Sequence, residues 1–150
     1  MAESNALPLS ANTGDFFKIL DYEFYRAVRY NNVVTLMFIK LCHLDEIAGN
    51  YGQLTAARLL RGIERLIRDN IRQSDREFIY GKDELMLILP NTPKDGAHCM
   101  VPKLQRLIEG YLLTNEREVA VTVRPKFGIA SYPHDARPWN GRVGLAGNVA

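Results

Sequence analysis

Gly81-Lys82-Asp83-Glu84 lies between two short apolar runs, Glu77 to Tyr80 and Leu85 to Leu89, a pattern that reads as a hairpin whose turn displays two carboxylates at its tip. Upstream, Arg58, Arg61, Arg65, Arg68 and Arg72 recur at spacings of 3, 4, 3 and 4, one guanidinium per helical turn. Such a stripe is ordinarily a solvated helix face, here with Glu64 and Asp69 as counter-charges, and a phosphate-rich or acidic partner is the alternative. The stripe ends in Arg72-Gln73-Ser74-Asp75. Its plain reading is a surface arginine at a helix C-terminus, favourable to the macrodipole, with an aspartate in the following turn. His43, His98 and His134 share no metal-ligand spacing, and no serine or cysteine is paired with a recognisable base. Cys42 and Cys99 form no CxxC, so reduced, buried thiols are expected.

The elements that must position these groups follow from hydropathy. Asp15 is a candidate cap for a helix to about Tyr30, with Phe16, Leu20, Phe24 and Ala27 on one face. Phe16, Phe24, Phe38 and Tyr80 are expected in or near the core. Asn31-Asn32 breaks that helix, and Val33 to Leu41 reads as an interior strand, apolar on both faces. A short helix, Leu44 to Gly49, precedes Tyr51-Gly52 and a strongly divided helix from Leu54 to Gln73, whose inner side carries Leu59, Leu60, Ile63, Leu66, Ile67 and Ile71. Thr92-Pro93 reads as a helix start, with the helix continuing to about Leu113 and kinked at Pro102. Strands near Val119 to Arg124 and Phe127 to Tyr132 close the patterned region.

With 150 residues and 47% apolar content, the chain has material for one sizeable core. The expected organisation is an arm over residues 1–14, a domain over 15–133 and a loose tail over 134–150 containing Gly141, Gly144 and Gly147. The longest apolar stretch falls far short of the roughly 20 residues that cross a bilayer, and the N-terminus does not look like a secretion signal. A cytoplasmic location is expected. A formal charge of +2 is too small to imply nucleic-acid binding by itself.

The element order, together with Phe78-Ile79-Tyr80-Gly81-Lys82-Asp83-Glu84-Leu85 and Phe127-Gly128-Ile129-Ala130, resembles the GGDEF domains of diguanylate cyclases over roughly Asp15 to Pro133. The resemblance implies an α+β, palm-like fold with a central, mostly antiparallel sheet flanked by helices, lacking the family's usual terminal helix. It also implies what is missing. Active members hold divalent metal on acids to neutralise triphosphates and activate a hydroxyl, because hard cations take oxygen ligands. Where the family's first strand ends in an Asp-x-Asp type sequence, this chain has Lys40-Leu41-Cys42, which leaves Asp83 without its companion ligand. Lys40 either reaches solvent from a strand end or, the reading favoured here, bridges to Asp83 or Glu84 in place of metal. The family's guanine-holding asparagine and aspartate match Ala48 and Ala57, neither able to hydrogen-bond a base edge. After Gly81, the second glycine of the hairpin motif is Lys82, whose side chain crowds the phosphate approach.

The resemblance further implies a product site. Many members carry R-x-x-D five residues before the hairpin motif, and Arg72 and Asp75 keep that distance from Gly81. An arginine fork can donate to guanine O6 and N7, and an aspartate can accept from the N–H edge. Lys103 stands where some members place a second basic contact. The expectation is therefore a catalytically inactive domain without magnesium that receives cyclic di-GMP at Arg72, Asp75 and Lys103 and signals to a protein partner. The competing expectation is a protein-interaction module that needs no nucleotide. Nucleic acid and membrane are not the expected partners, and homodimer formation is left open.

Overall fold

The structure, a computed structural model, describes the backbone of residues 9–114, 119–133, 136–139 and 142–145 and the side chains of 16–114 and 119–133. Helix α1, Leu9–Tyr30, buries Phe16, Leu20, Phe24 and Ala27 as their spacing predicts. It begins six residues before the expected cap at Asp15, so part of the segment read as an arm is helical. A helix anchored by its packed half extends outward at little cost, even through poor formers such as Ser10 and Asn12. Its end is a Schellman motif. Asn31 adopts φ 56°, Asn32 N–H donates to Ala27 O at 2.9 Å and Asn31 N–H to Val28 O at 3.4 Å.

Strand β1, Val34–Cys42, lies mid-sheet between β3, Glu84–Pro90, and β6, Arg124–Tyr132. Strand β2, Arg76–Ile79, pairs with β3, giving the order β2-β3-β1-β6 with every pairing antiparallel. Lys40 stands opposite Glu84 on one side and Lys126 on the other. Two strands are expected here from sequence, parted near Pro125; the break falls instead at residues 122–123, and the edge strand β6 runs on through Pro125. An edge strand tolerates a proline because one side needs no ladder donor. The short pair β4, Leu113–Thr114, and β5, Ala120–Val121, precedes it.

Helices α2, Leu44–Tyr51, and α3, Gln53–Arg68, are joined at Gly52, whose φ of 100° is one that L side chains rarely adopt. Helix α3 stops five residues short of the expected Gln73. Asn70 Nδ2 donates to Leu66 O at 2.8 Å and Asn70 N–H to Ile67 O at 2.9 Å, so a side chain closes the last turn. Ile71 keeps the apolar period, but it lies beyond the helix and still packs against the core. Helix α4, Lys94–Glu109, runs through Pro102 and ends at Glu109, four residues before Leu113, with Gly110 as its C-cap. Pro93, not Thr92, holds its N-cap position.

Two apolar layers result. Met37, Ile39, Leu41, Leu87 and Leu89 face Leu59, Ile63 and Ile67 of α3 and Leu104 and Ile108 of α4, while Leu36, Phe78, Met86 and Ile88 face α1. Phe38 and Tyr132 are partly buried at the edge of the second layer, and Tyr80 remains 37% exposed. The expectation of two buried cysteines fails. Cys42 is half-buried and Cys99 is exposed on α4, off the Ala97, Leu104 and Ile108 side, although both are free thiols. The segment read as a loose tail contains a hairpin, β7, Ala136–Trp139, with β8, Arg142–Leu145, which includes Gly144. Gly141 and Gly147 fall outside the described residues. Among the described residues no helix follows β6. No described helix is long and apolar enough to cross a membrane.

Candidate functional site

Early termination of α3 decides the first site. The chain leaves the helix, turns through residues 69–75 and enters β2, which places Arg72 and Asp75 beside the start of α4. A cleft of about 710 Å³ opens there, lined by Arg72, Asp75, Thr92, Met100 and Lys103 among others. The structure thus gathers all three residues expected to form a product site. Arg72 is not at a helix C-terminus, so the macrodipole reading does not apply.

Within the cleft the charges are already matched. Arg72 Nη2 donates to Asp75 Oδ1 at 3.1 Å and to Pro90 O at 2.9 Å, Nε donates to Asp75 Oδ2 at 3.4 Å, and Nη2 also reaches the Thr92 hydroxyl. The backbone is tied reciprocally, with Arg72 N–H donating to Asp75 Oδ2 and Asp75 N–H to Arg72 O, both at 3.0 Å. Asp75 has 2% of its side chain exposed and Arg72 55%, so the aspartate is the buried anchor and the arginine its accessible partner. Thr92 is built in by Thr35, whose hydroxyl donates to Thr92 O and bonds the Ser131 hydroxyl. That is why Thr92 makes no helix cap. Its hydroxyl serves the arginine.

The hairpin end differs. Gly81 and Lys82 form the tip, and Tyr80 N–H donates to Glu84 O at 2.9 Å. Lys40 Nζ approaches Asp83 Oδ2 at 4.0 Å, with 54% and 25% of the two side chains exposed. The predicted bridge therefore exists, but at this separation and exposure it contributes under about 1 kcal/mol. A groove of about 510 Å³ runs past Phe38, Lys40, Cys42, His43, Glu84 and Lys126. Lys126 escapes sequence reasoning because only the β1–β6 register sets it beside Lys40. Asp83 and Glu84 have an amine for company where the resemblance implies a further acid. Among the described residues no three His, Cys, Asp or Glu side chains are placed to hold a metal ion.

On the opposite face Ala48, Ala57 and Lys82 line a pocket of about 240 Å³ with Leu44, Leu60 and Ile79. Both alanines match base-holding positions of the resemblance, and the walls around them are aliphatic apart from Asp45, Gln53, Arg61 and Lys82.

One buried cluster was not foreseen. Glu64, read as a counter-charge on a solvated face, is buried on α3, and Glu77 of β2 has 2% of its side chain exposed. Arg68 joins them, Nη2 to Glu64 Oε2 at 3.1 Å and Nε to Glu77 Oε1 at 3.8 Å, and neither Glu77 oxygen has a hydrogen bond. Burial, reinforced by the negative Glu64, pushes the Glu77 carboxyl up to about 9 despite Arg68. Burial also raises Glu64, against the pull of Arg68 and Arg61. Period-2 alternation in β2 could have marked Glu77 as inward-facing, since its neighbour Phe78 faces α1.

Comparison with known proteins bears on both sites. The chain is 26% identical over 103 residues to the uncharacterized membrane protein YdaK of Bacillus subtilis, spanning 69% of this chain and 36% of that protein. It is 24% identical over 107 residues to the diguanylate cyclase DosC of Escherichia coli, 70% of this chain and 23% of that one. It thus spans about a third or less of these relatives. Among solved structures, the GGDEF domain of PA1120 (YfiN or TpbB) from Pseudomonas aeruginosa superposes with a TM-score of 0.76 at 22% identity, covering 81% of this chain and 76% of that one. The GGDEF domain of DgcB from Caulobacter crescentus, solved in complex with c-di-GMP, superposes with a TM-score of 0.75 at 15% identity, covering 79% and 71%. The family model for the diguanylate cyclase GGDEF domain matches residues 11–148, and with the sheet order, the hairpin and the R-x-x-D cleft in place, the chain belongs to that family.

Proposed function

We propose that this GGDEF domain is catalytically inactive and acts as a cyclic di-GMP receptor in bacterial cytoplasmic signalling, passing its liganded state to a protein partner. The observation that carries the reading is the single cleft uniting Arg72, Asp75 and Lys103. At the hairpin end a lysine stands where the resemblance implies a metal-binding acid, and in the aliphatic pocket two alanines match the base-holding pair, which supports inactivity. Guanine binding requires Arg72 to exchange some of its bonds to Asp75, Pro90 O and Thr92 for bonds to O6 and N7. Nη1 takes part in none of those intramolecular bonds and is the natural first contact. Lys103 supplies a mobile positive charge for the ligand's phosphates. The DgcB domain, solved with c-di-GMP, lends this reading support by likeness of fold.

Titration calorimetry with cyclic di-GMP tests it. Wild type is expected to release heat on saturable binding, and Arg72→Ala to release none; a folded wild type that gives no heat rejects the reading. A second reading, a nucleotide-independent interaction module, draws on the self-satisfied state of Arg72 and Asp75, which need no ligand to complete their bonding. Capture of the same partner by wild type and by the Arg72→Ala, Asp75→Ala double variant, with or without nucleotide, favours it. Residual cyclase activity predicts turnover of GTP with magnesium or manganese, and absence of product at high protein concentration dismisses it.

A further inference from the structure

We propose that the outer face of α3 and the aliphatic pocket beside it dock an acidic protein segment through one large apolar side chain. The pocket holds about 240 Å³, less than the roughly 300 to 1,000 Å³ of small-molecule sites and suited to a single side chain. Leu44, Ala48, Ala56, Leu60 and Ile79 offer its occupant no side-chain hydrogen bonds, so whatever enters must be apolar at its tip. The rim is charged. Arg61 and Lys82 stand there against the single acid Asp45.

The adjoining helix face extends the pattern. Leu54, 66% exposed, is followed at helical spacing by Arg58, Arg61 and Arg65. Among the described residues these three arginines and Lys82 form no ion pair, whereas Arg68, one turn on, is consumed by Glu64 and Glu77. Guanidiniums without a close ion pair, Arg61 and Arg65 feeling the Glu64 carboxylate only at longer range, complement carboxylates flanking an apolar anchor beside this mainly aliphatic hole. A nucleobase fits less well, because apart from Gln53 and the charged rim the walls offer its polar edge neither donors nor acceptors. The inference names the chemistry of the partner in the proposed relay and rests on that reading only for the link to cyclic di-GMP.

The test contains no cyclic di-GMP, so its failure and the failure of the calorimetric titration are distinguishable. Three fluorescent probes are titrated: a Glu/Asp-rich peptide with one central Trp, the same peptide with Ala in its place, and a single-stranded oligonucleotide. The Trp peptide is expected to bind at least about tenfold tighter than the Ala peptide, as burial of one large side chain implies. Amide shifts should centre on Ala48, Ala57, Ile79 and Lys82. Arg61→Glu is expected to weaken binding at least about tenfold, and Ala57→Phe, at an exposed helical position, to erase the preference for Trp. Amide spectra of both variants report whether the fold is intact. Equal binding of the two peptides, tighter binding of the oligonucleotide, shifts centred elsewhere, or no binding of the Trp peptide by folded wild type each overturns the proposal.

Discussion

The two ends of β3 handle charge in opposite ways. At Pro90, Arg72 and Asp75 are joined by side-chain and backbone bonds and braced by Thr92, Thr35 and Ser131. At Glu84, some 20 Å away at strand rise, Lys40 and Asp83 meet at the limit of an ion pair beside an open groove. A buried aspartate demands its partners, because a desolvated charge without them is costly. A half-exposed amine does not, because water solvates it. The first end is therefore structural, and the second is free to vary without unfolding the domain.

The contrast can be broken most forcefully at Arg72. Arg72→Ala is expected to abolish cyclic di-GMP binding and also to cost about 1 to 3 kcal/mol of stability in urea unfolding, since Asp75 keeps its burial but loses its cation. Unchanged stability would mean that the cleft's pairing is ornamental to the fold.

Glu77 comes next. Its raised pKa means that the folded protein holds a proton the unfolded chain releases. The associated stability is fully present below the ordinary glutamate value of 4.5 and is lost progressively as pH rises toward about 9. Glu77→Gln, which mimics the protonated side chain, is expected to raise stability at neutral pH by about 1 to 2 kcal/mol and to flatten that decline. Denaturant unfolding at a series of pH values measures both. A steeper decline in the variant would contradict the assignment.

Lys40→Met should matter least. Its expected effect on stability is below about 1 kcal/mol, and raising the salt concentration should shrink even that. A loss of several kcal/mol would place the hairpin end on the same footing as the R-x-x-D cleft and dissolve the contrast.

Much of this was legible in the residues. Apolar spacing in Phe16 to Ala27 and Leu59 to Ile67, and the continuous run from Val34 to Leu41, set the helices and the central strand, because those patterns admit few other ways to bury the same side chains. The hairpin could be placed from the two flanking runs and its turn residues, and R-x-x-D from the family resemblance, through its distance from the hairpin. The early end of α3 could not, since Ile71 and Arg72 continue the helical period and only the Asn70 cap with the Arg72–Asp75 lock interrupts it. Nor could the pairing of Lys40 with Lys126 or the enclosure of Glu64 and Glu77, whereas the union of Arg72 with Lys103 was expected only from the family resemblance. Those depend on which strands become neighbours and on which carboxylates the packing strips of water, quantities set by contacts distant in sequence rather than by local period or propensity.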